Sequence, residues 1–309
     1  MLNYGFVAVA ACDMCAADPS HFRVMGLRLN RSQGRKPRAA SGVAVSVKTC
    51  RNCDLVFADP QPVPANFEDH YGEPEDYWDA DYFADESGYF EDEIATAKRL
   101  LGFREGMRAL DVGAGIGKAM RAMAAAGFDT RGFEPSPAFR HAAIARVGIP
   151  EDRLALAEVE NAEFPANHFD FISFGAVLEH LFSPSTAIER AIGWLKPGGI
   201  IQAEVPSSRW LISRLVNMYN RLVGTNLVTN ISPMHQPYHL FEFGLGSFEL
   251  HGSRSGYRVA HHHFMVCSMP HVPRMIQPPL RWWMDRARTG MQLVVYLKKM
   301  GSGQICDDI

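Results

Sequence analysis

Apolar and polar positions along the chain fall into blocks that predict short buried strands alternating with helices. The clearest block is Ala109-Leu110-Asp111-Val112, a short buried strand running into the turn Gly113-Ala114-Gly115-Ile116-Gly117. A helix is predicted from about Lys118 to Ala126, stopped by Gly127, and a second short strand ends at Glu134. Ser136 reads as an N-cap with Pro137 in the first turn, opening a helix that reaches Val147. Leu154 to Ala157 is a third strand, and the run from Asp170 to Leu181 holds a fourth strand and the loop at its carboxyl end. A helix over 185–195 stops at Lys196-Pro197-Gly198-Gly199, and Ile200 to Pro206 is a fifth strand. Ile94 to Leu101 reads as a helix ahead of the first strand. The alternation breaks from Ser207 to Pro237, where Trp210 to Leu222 reads as an inserted amphipathic helix, part of a lid. A turn at Gly256-Tyr257-Arg258-Val259 leads to a sixth strand, and Met291 to Lys299 is the last. This order predicts an α/β fold with a mostly parallel sheet and helices on both faces.

A chain of 309 residues can hold one sizeable core and a small accessory module. Its hydrophobic content of 47% and charged content of 21% are those of a globular protein. A formal net charge of -3 gives no global attraction to nucleic acid or anionic membranes. The apolar run from Phe6 to Ala11 is too short for a membrane span and lacks the basic flank of a secretion signal. A cytoplasmic protein without a membrane span is expected, and nothing in the sequence fixes its oligomeric state.

The cysteines change this picture. Cys12-Asp13-Met14-Cys15 and Cys50-Arg51-Asn52-Cys53 are two Cys-x-x-Cys pairs, each able to present two thiolates to one ion. Together they predict a four-cysteine structural zinc site in a ribbon-like module over 1–59, with a basic Gly/Ser/Pro-rich hairpin tip within 28–38. Four reduced thiols or a redox pair are the alternatives. Cys267 and Cys306 have no partner motif. Residues 60–93 form an acidic linker, with Tyr71, Tyr77, Trp78, Tyr82, Phe83, Tyr89 and Phe90 interleaved. Residues 94–309 form the main domain.

Seventeen residues beyond Gly117, at the end of the second strand, stands Glu134. In nucleoside-binding α/β folds an acid at that point takes the ribose hydroxyls. A dinucleotide fingerprint would require glycine at position 118, where the chain has Lys118. The spacing Asp111-x-Gly113-x-Gly115-x-Gly117 resembles instead motif I of the class I S-adenosylmethionine (SAM) methyltransferases. Phe164-Pro165, Phe169-Asp170, Leu178-Glu179-His180-Leu181 and Leu195-Lys196-Pro197-Gly198-Gly199 follow in order. From about 90 to 299 the chain therefore looks like a class I enzyme of the ubiquinone/sugar-methyltransferase type. The resemblance implies a Rossmann-like seven-stranded sheet with an antiparallel last hairpin. It also implies that Asn161 stands where an acid contacts the adenine amino group, a role its side-chain oxygen can fill. The cysteine pairs and Tyr-rich linker resemble the zinc-binding front end of bacterial sugar C-methyltransferases and related polysaccharide and natural-product enzymes. The implied acceptor is a small molecule, a nucleotide-linked sugar or a natural-product or polysaccharide precursor.

Methyl transfer needs an oriented nucleophile and, often, a group that removes its proton. His180, after the fourth strand, and His239, after the fifth, are the candidates, since strand carboxyl ends bear the ligands in open α/β sheets. His235 and Glu242 are weaker candidates, and His261-His262-His263 alternates faces on a strand, so it does not read as a metal site. Two rivals remain at this level. One is an rRNA or tRNA methyltransferase gripping RNA with its zinc module, which the acidic linker and net charge disfavour. The other is a SAM-binding subunit without turnover.

Overall fold

The computed structural model describes residues 4–31, 42–65, 88–267, 269 and 272–301. The hairpin tip, the aromatics Tyr71, Tyr77, Trp78, Tyr82 and Phe83, and Cys306 lie outside the described residues.

The amino-terminal region is built from strands β1 (Tyr4–Val7), β2 (Phe22–Leu29), β3 (Ala44–Cys50), β4 (Val56–Ala58) and β5 (Gln61–Pro64). In β3 the alternation is clean: Val45 and Val47 are buried, with more exposed residues between them. The main domain opens with helix α1 (Glu91–Leu101), whose first turn carries Glu91, Asp92 and Glu93, where the helix dipole favours anions. Strand β6 (Arg108–Val112), helix α2 (Lys118–Ala125) and strand β7 (Asp129–Glu134) follow as predicted. Ser136 caps helix α3 (Pro137–Ala142) by accepting from the Phe139 N–H, and a π-helical turn continues it to Val147. Then come β8 (Leu154–Leu156), β9 (Phe169–Gly175), α4 (Pro184–Trp194) and β10 (Leu195–Pro206). Helix α5 (Leu211–Leu222) occupies the break in the alternation. The described elements are completed by β11 (Phe241–Glu242), α6 (Leu245–Ser255), β12 (Tyr257–Met265), α7 (Gln277–Arg286) and β13 (Gln292–Lys299).

Seven strands form the main sheet in the order β12-β13-β10-β9-β6-β7-β8. The five from β10 to β8 are parallel neighbours, while β13 runs antiparallel to both β10 and β12. This is a mixed seven-stranded α/β sheet with an antiparallel last hairpin, as the resemblance implied. Its central strands are near-continuous apolar runs because both faces are covered: Leu110, Phe171, Ile172, Phe174, Ile201 and Ala203 are each 0% exposed. No described helix is long and apolar enough to cross a membrane.

Three features differ from the sequence reading. Lys196-Pro197-Gly198-Gly199 lies inside β10, as a register irregularity between Leu195 and Ile200, instead of forming a separate turn. Helix α6 was not predicted, because Gly246, Gly252 and three serines depress its intrinsic propensity. It forms through tertiary packing, with Phe248 and His251 buried on its inner face. Helix α7 was also missed; two prolines at its start, Pro278 and Pro279, disguised it.

The amino-terminal strands do not stand apart from the main domain. β11 is the edge strand of the four-stranded sheet β11-β4-β3-β2, with Phe241 opposite Phe57 and Glu242 opposite Val56. The Ser247 hydroxyl donates to the Cys53 carbonyl at 2.8 Å. Asp13 accepts from the Ser185 N–H at 2.8 Å and the Ser183 hydroxyl at 2.9 Å. Gly244 approaches so closely that a Cβ there would lie 2.5 Å from the Asp54 Cβ. Met14, Leu55 and Phe57 share one apolar cluster with Leu110, Phe174 and Phe243.

Candidate active site

The carboxyl edge of the parallel strands carries the predicted site residues. The glycine turn follows β6, with Gly113 at φ +65° and Gly117 at φ +80°, conformations a side chain would strain. A Cβ on Gly113 would stand 2.9 Å from the Val177 side chain, so the loop after β9 packs directly onto the turn. Glu134, at the end of β7, is buried. One of its oxygens accepts from the Gly115 N–H at 2.8 Å and the other from the Ser136 N–H at 2.9 Å. Each oxygen retains a second lone pair for a ribose hydroxyl. Burial pushes the Glu134 carboxyl up to about 7 despite these two donors. Asp111 is buried beneath the turn, accepts from the Ser173 hydroxyl, and is likewise pushed up to about 7 by burial. Asn161 lies in the turn beyond β8, on the same edge, its amide nitrogen donating to Glu158 at 3.0 Å. Its carbonyl oxygen is the acceptor that an adenine amino group requires.

His180 ends a single 3₁₀ turn, Leu178–His180, after β9. His239 lies two residues before β11. The structure brings the two rings together, with centroids 5.1 Å apart and planes at 71°. The Leu240 N–H donates to the Glu179 carbonyl at 2.8 Å and fixes one segment on the other. The Tyr238 carbonyl lies 3.3 Å from His180 Nδ1, presented from a left-handed residue at φ +61°. Burial pushes His180 down to about 4, with the Tyr238 hydrogen bond opposing, and pushes His239 down as well. Burial thus favours the neutral form of both imidazoles.

Sequence reasoning missed Glu179, though it sits inside the Leu-Glu-His signal. Its side chain is 1% exposed, with one carboxylate oxygen 3.9 Å from His239 Nε2. Burial pushes it up to about 8. Of the weaker candidates, Glu242 is committed elsewhere: it accepts from the Ile231 N–H and the Asn230 side chain and braces that loop. His235 Nδ1 contacts the Gln236 carbonyl on an exposed turn. The rings of His261 and His263 share one face of β12, with centroids 6.0 Å apart, and His262 points to the other. Tyr89, one of the two described linker aromatics, lies 4.7 Å over the Lys118 ammonium, beside the end of the glycine turn.

The four cysteines converge in the amino-terminal region. Cys12 Sγ is 3.5 Å from Cys53 Sγ, and Cys15 Sγ is 3.5 Å from Cys50 Sγ. All four sulfurs lie within 4.8 Å of one another. Thiolates at about 2.3 Å from one tetrahedral ion stand about 3.8 Å apart, so the donor set fits a closed zinc site. Tight turns shape each pair, with Ala16 and Asp54 left-handed just beyond them.

A family model described as "Methyltransferase domain" matches residues 87–292. A "Ubiquinone biosynthesis O-methyltransferase" from Bordetella avium is 33% identical over 107 residues, which cover 33% of this chain and 44% of that protein. The chain thus spans under half the length of that curated relative. Among solved structures, an S-adenosylmethionine dependent methyltransferase from Mesorhizobium loti is 16% identical, with a TM-score of 0.48 over 70% of this chain and 100% of the other. A chain from the complex between the Haloferax volcanii Trm112 methyltransferase activator and a methyltransferase is 19% identical, with a TM-score of 0.47 over 72% and 97%.

Proposed function

The chain belongs to the methyltransferase-domain family, and we propose that it transfers the methyl group of SAM to a small-molecule acceptor. We assign 94–309 as the catalytic domain, 1–59 as a zinc ribbon-like module holding one structural Zn²⁺ on Cys12, Cys15, Cys50 and Cys53, and 60–93 as the connecting segment, whose first residues pair back onto β1 as β5 and whose last begin α1. The cofactor supplies an electrophilic sulfonium methyl. Gly113, Gly115 and Gly117 make room for its methionine and ribose parts, Glu134 takes the ribose hydroxyls, Asn161 the adenine amino group, and Asp111 supports the turn from below.

One observation carries the reading: the rings of His180 and His239 meet with centroids 5.1 Å apart, and the loop that carries His180 packs through Val177 against Gly113 of the glycine turn. His180 and His239 are placed there to orient an acceptor and deal with its proton. The acceptor we favour is a nucleotide-linked sugar or a natural-product or polysaccharide precursor, by the likeness of the cysteine-bearing front end to sugar C-methyltransferases. Incubation with SAM and a pool of such acceptors should yield a product heavier by one CH₂ in mass spectrometry. Binding of SAM with no methylated product from any small-molecule pool, and salt-sensitive binding and methylation of RNA instead, would reject it.

A further inference from the structure

We propose that Glu179, His180 and His239 form a binding site for one first-row divalent cation on the acceptor side of the cofactor seat. The three side chains each offer a donor atom, and these atoms lie within 4.8 Å of one another. Donors at about 2.1 Å from a common ion stand about 3–4.2 Å apart, a contraction that small side-chain rotations supply.

The strongest sign is Glu179. It is 1% exposed, yet neither of its carboxylate oxygens accepts a hydrogen bond among the described residues. Buried carboxylates are ordinarily hydrogen-bonded, ion-paired or bound to a metal. Among the described residues the nearest cationic candidate is His239 Nε2 at 3.9 Å, beyond hydrogen-bonding range. A cation between the carboxylate and the imidazoles answers that omission.

His180 is arranged as metal-binding histidines are. A carbonyl only accepts, so the Tyr238 carbonyl selects the tautomer with its proton on Nδ1 and the lone pair on Nε2. The ligand-bearing segments are tied by the hydrogen bond from Leu240 to the Glu179 carbonyl, so the site does not have to be assembled by the ion. Two imidazole nitrogens and one carboxylate oxygen suit Mn²⁺, Fe²⁺, Co²⁺ or Zn²⁺ better than Mg²⁺ or Ca²⁺. The donor set also differs from the four thiolates of the amino-terminal cluster, which select soft ions.

Three protein ligands leave coordination positions open. Glu179 is sealed on the inner side, while His239 keeps 23% of its side chain exposed, so the open positions lie toward the accessible side. An ion there would occupy the imidazole lone pairs, so that the histidines act as ligands instead of bases, and would itself take an oxygen of the acceptor and favour its ionised form. That last step rests on the methyl-transfer reading and narrows it to acceptors bearing a hydroxyl or enol oxygen; the cation site itself does not.

The test is a titration of the full-length protein with MnCl₂ alone, following the electron paramagnetic resonance signal of free Mn²⁺. Mn²⁺ competes poorly for thiolates, so the cysteine cluster does not contribute. The wild type should remove one Mn²⁺ per chain from the free signal. Glu179→Gln, His180→Ala and His239→Asn should each weaken that uptake at least tenfold while calorimetric SAM binding shows that the fold persists. No uptake by the wild type, or equal uptake by all three variants, overturns the site. Because neither SAM nor acceptor is present, a failure of methyl transfer leaves this result untouched. Conversely, turnover that persists in excess chelator, with no Mn²⁺ uptake, removes the cation and leaves the transferase intact.

Discussion

The carboxyl edge of the sheet has two halves, and they are built on opposite principles. The half we propose for the cofactor is made mostly of backbone. Gly113 to Gly117 is a single contiguous turn, and Glu134 has a backbone N–H on each oxygen. The half we propose for the acceptor is made of side chains drawn from segments some sixty residues apart, and its buried carboxylate, Glu179, has no hydrogen-bond donor among the described residues. A half that is satisfied before ligand arrives is pre-organised for one invariant molecule. A half with an unmet carboxylate and two neutral imidazoles retains interactions for whatever completes it. The amino-terminal module touches the second half, since β4 pairs with β11 just beyond His239.

The largest effect should come from the module. Metal binding energy is folding energy for such clusters, and Cys53 also anchors Ser247 through its carbonyl. Cys53→Ser should release zinc and lower turnover by about 10³-fold or more, through loss of β4–β11 order. The comparison predicts that SAM affinity changes far less, because the glycine turn and Glu134 make no use of β11. Metal analysis with calorimetry checks both halves at once; equal loss of SAM binding and turnover would show that the two are not separable.

Next in size are the histidines. His180→Gln and His239→Gln should each lower kcat by about 10²–10⁴-fold with SAM affinity kept, the usual scale of acid–base assistance. If the rings only position the acceptor, the loss moves into its KM. Steady-state kinetics in both substrates makes the distinction.

How much could be read from the sequence follows the same division. Cysteine spacing, the glycine turn and Glu134 are local patterns, since each turn brings its own donors together within a few residues. The order of β6 to β10 was legible for the same reason, from runs of apolar residues punctuated by glycine. His180 and His239 could be nominated separately, from strand ends. That their rings meet, and that the buried Glu179 carboxylate comes to 3.9 Å from His239, depends on packing of the 232–243 segment, which no periodicity encodes. The β4–β11 seam was equally hidden: a two-residue strand has no pattern to recognise.

On the cofactor half the expected effects are smaller. Glu134→Ala should weaken SAM binding by about 1.5–3 kcal/mol, the worth of charge-assisted hydrogen bonds to the ribose. It should also loosen the glycine turn, because the Gly115 and Ser136 N–H groups lose their acceptor. Calorimetry that finds unchanged affinity would remove Glu134 from the seat.

The smallest effect is one of pH, and it tests whether the cofactor half is truly governed by one carboxylate. Burial raises Glu134 to about 7, so below that pH the group is increasingly protonated and neutral before SAM binds. A protonated carboxyl has lost the charge that strengthens its acceptance from the ribose hydroxyls. The ionised form is the one that binds, so affinity should be level above about pH 8 and fall as pH drops through 7, by up to about tenfold per unit. Binding in the falling range should release a proton, visible as a dependence of the calorimetric heat on buffer ionisation. Asp111 is raised to a similar value and sits on the neighbouring strand, so the assignment needs a second variant. Glu134→Gln cannot titrate and should bind SAM weakly with a flat profile. A slope that survives in Glu134→Gln transfers the titration to Asp111, and the cofactor half would then depend on a buried side-chain charge beneath the turn.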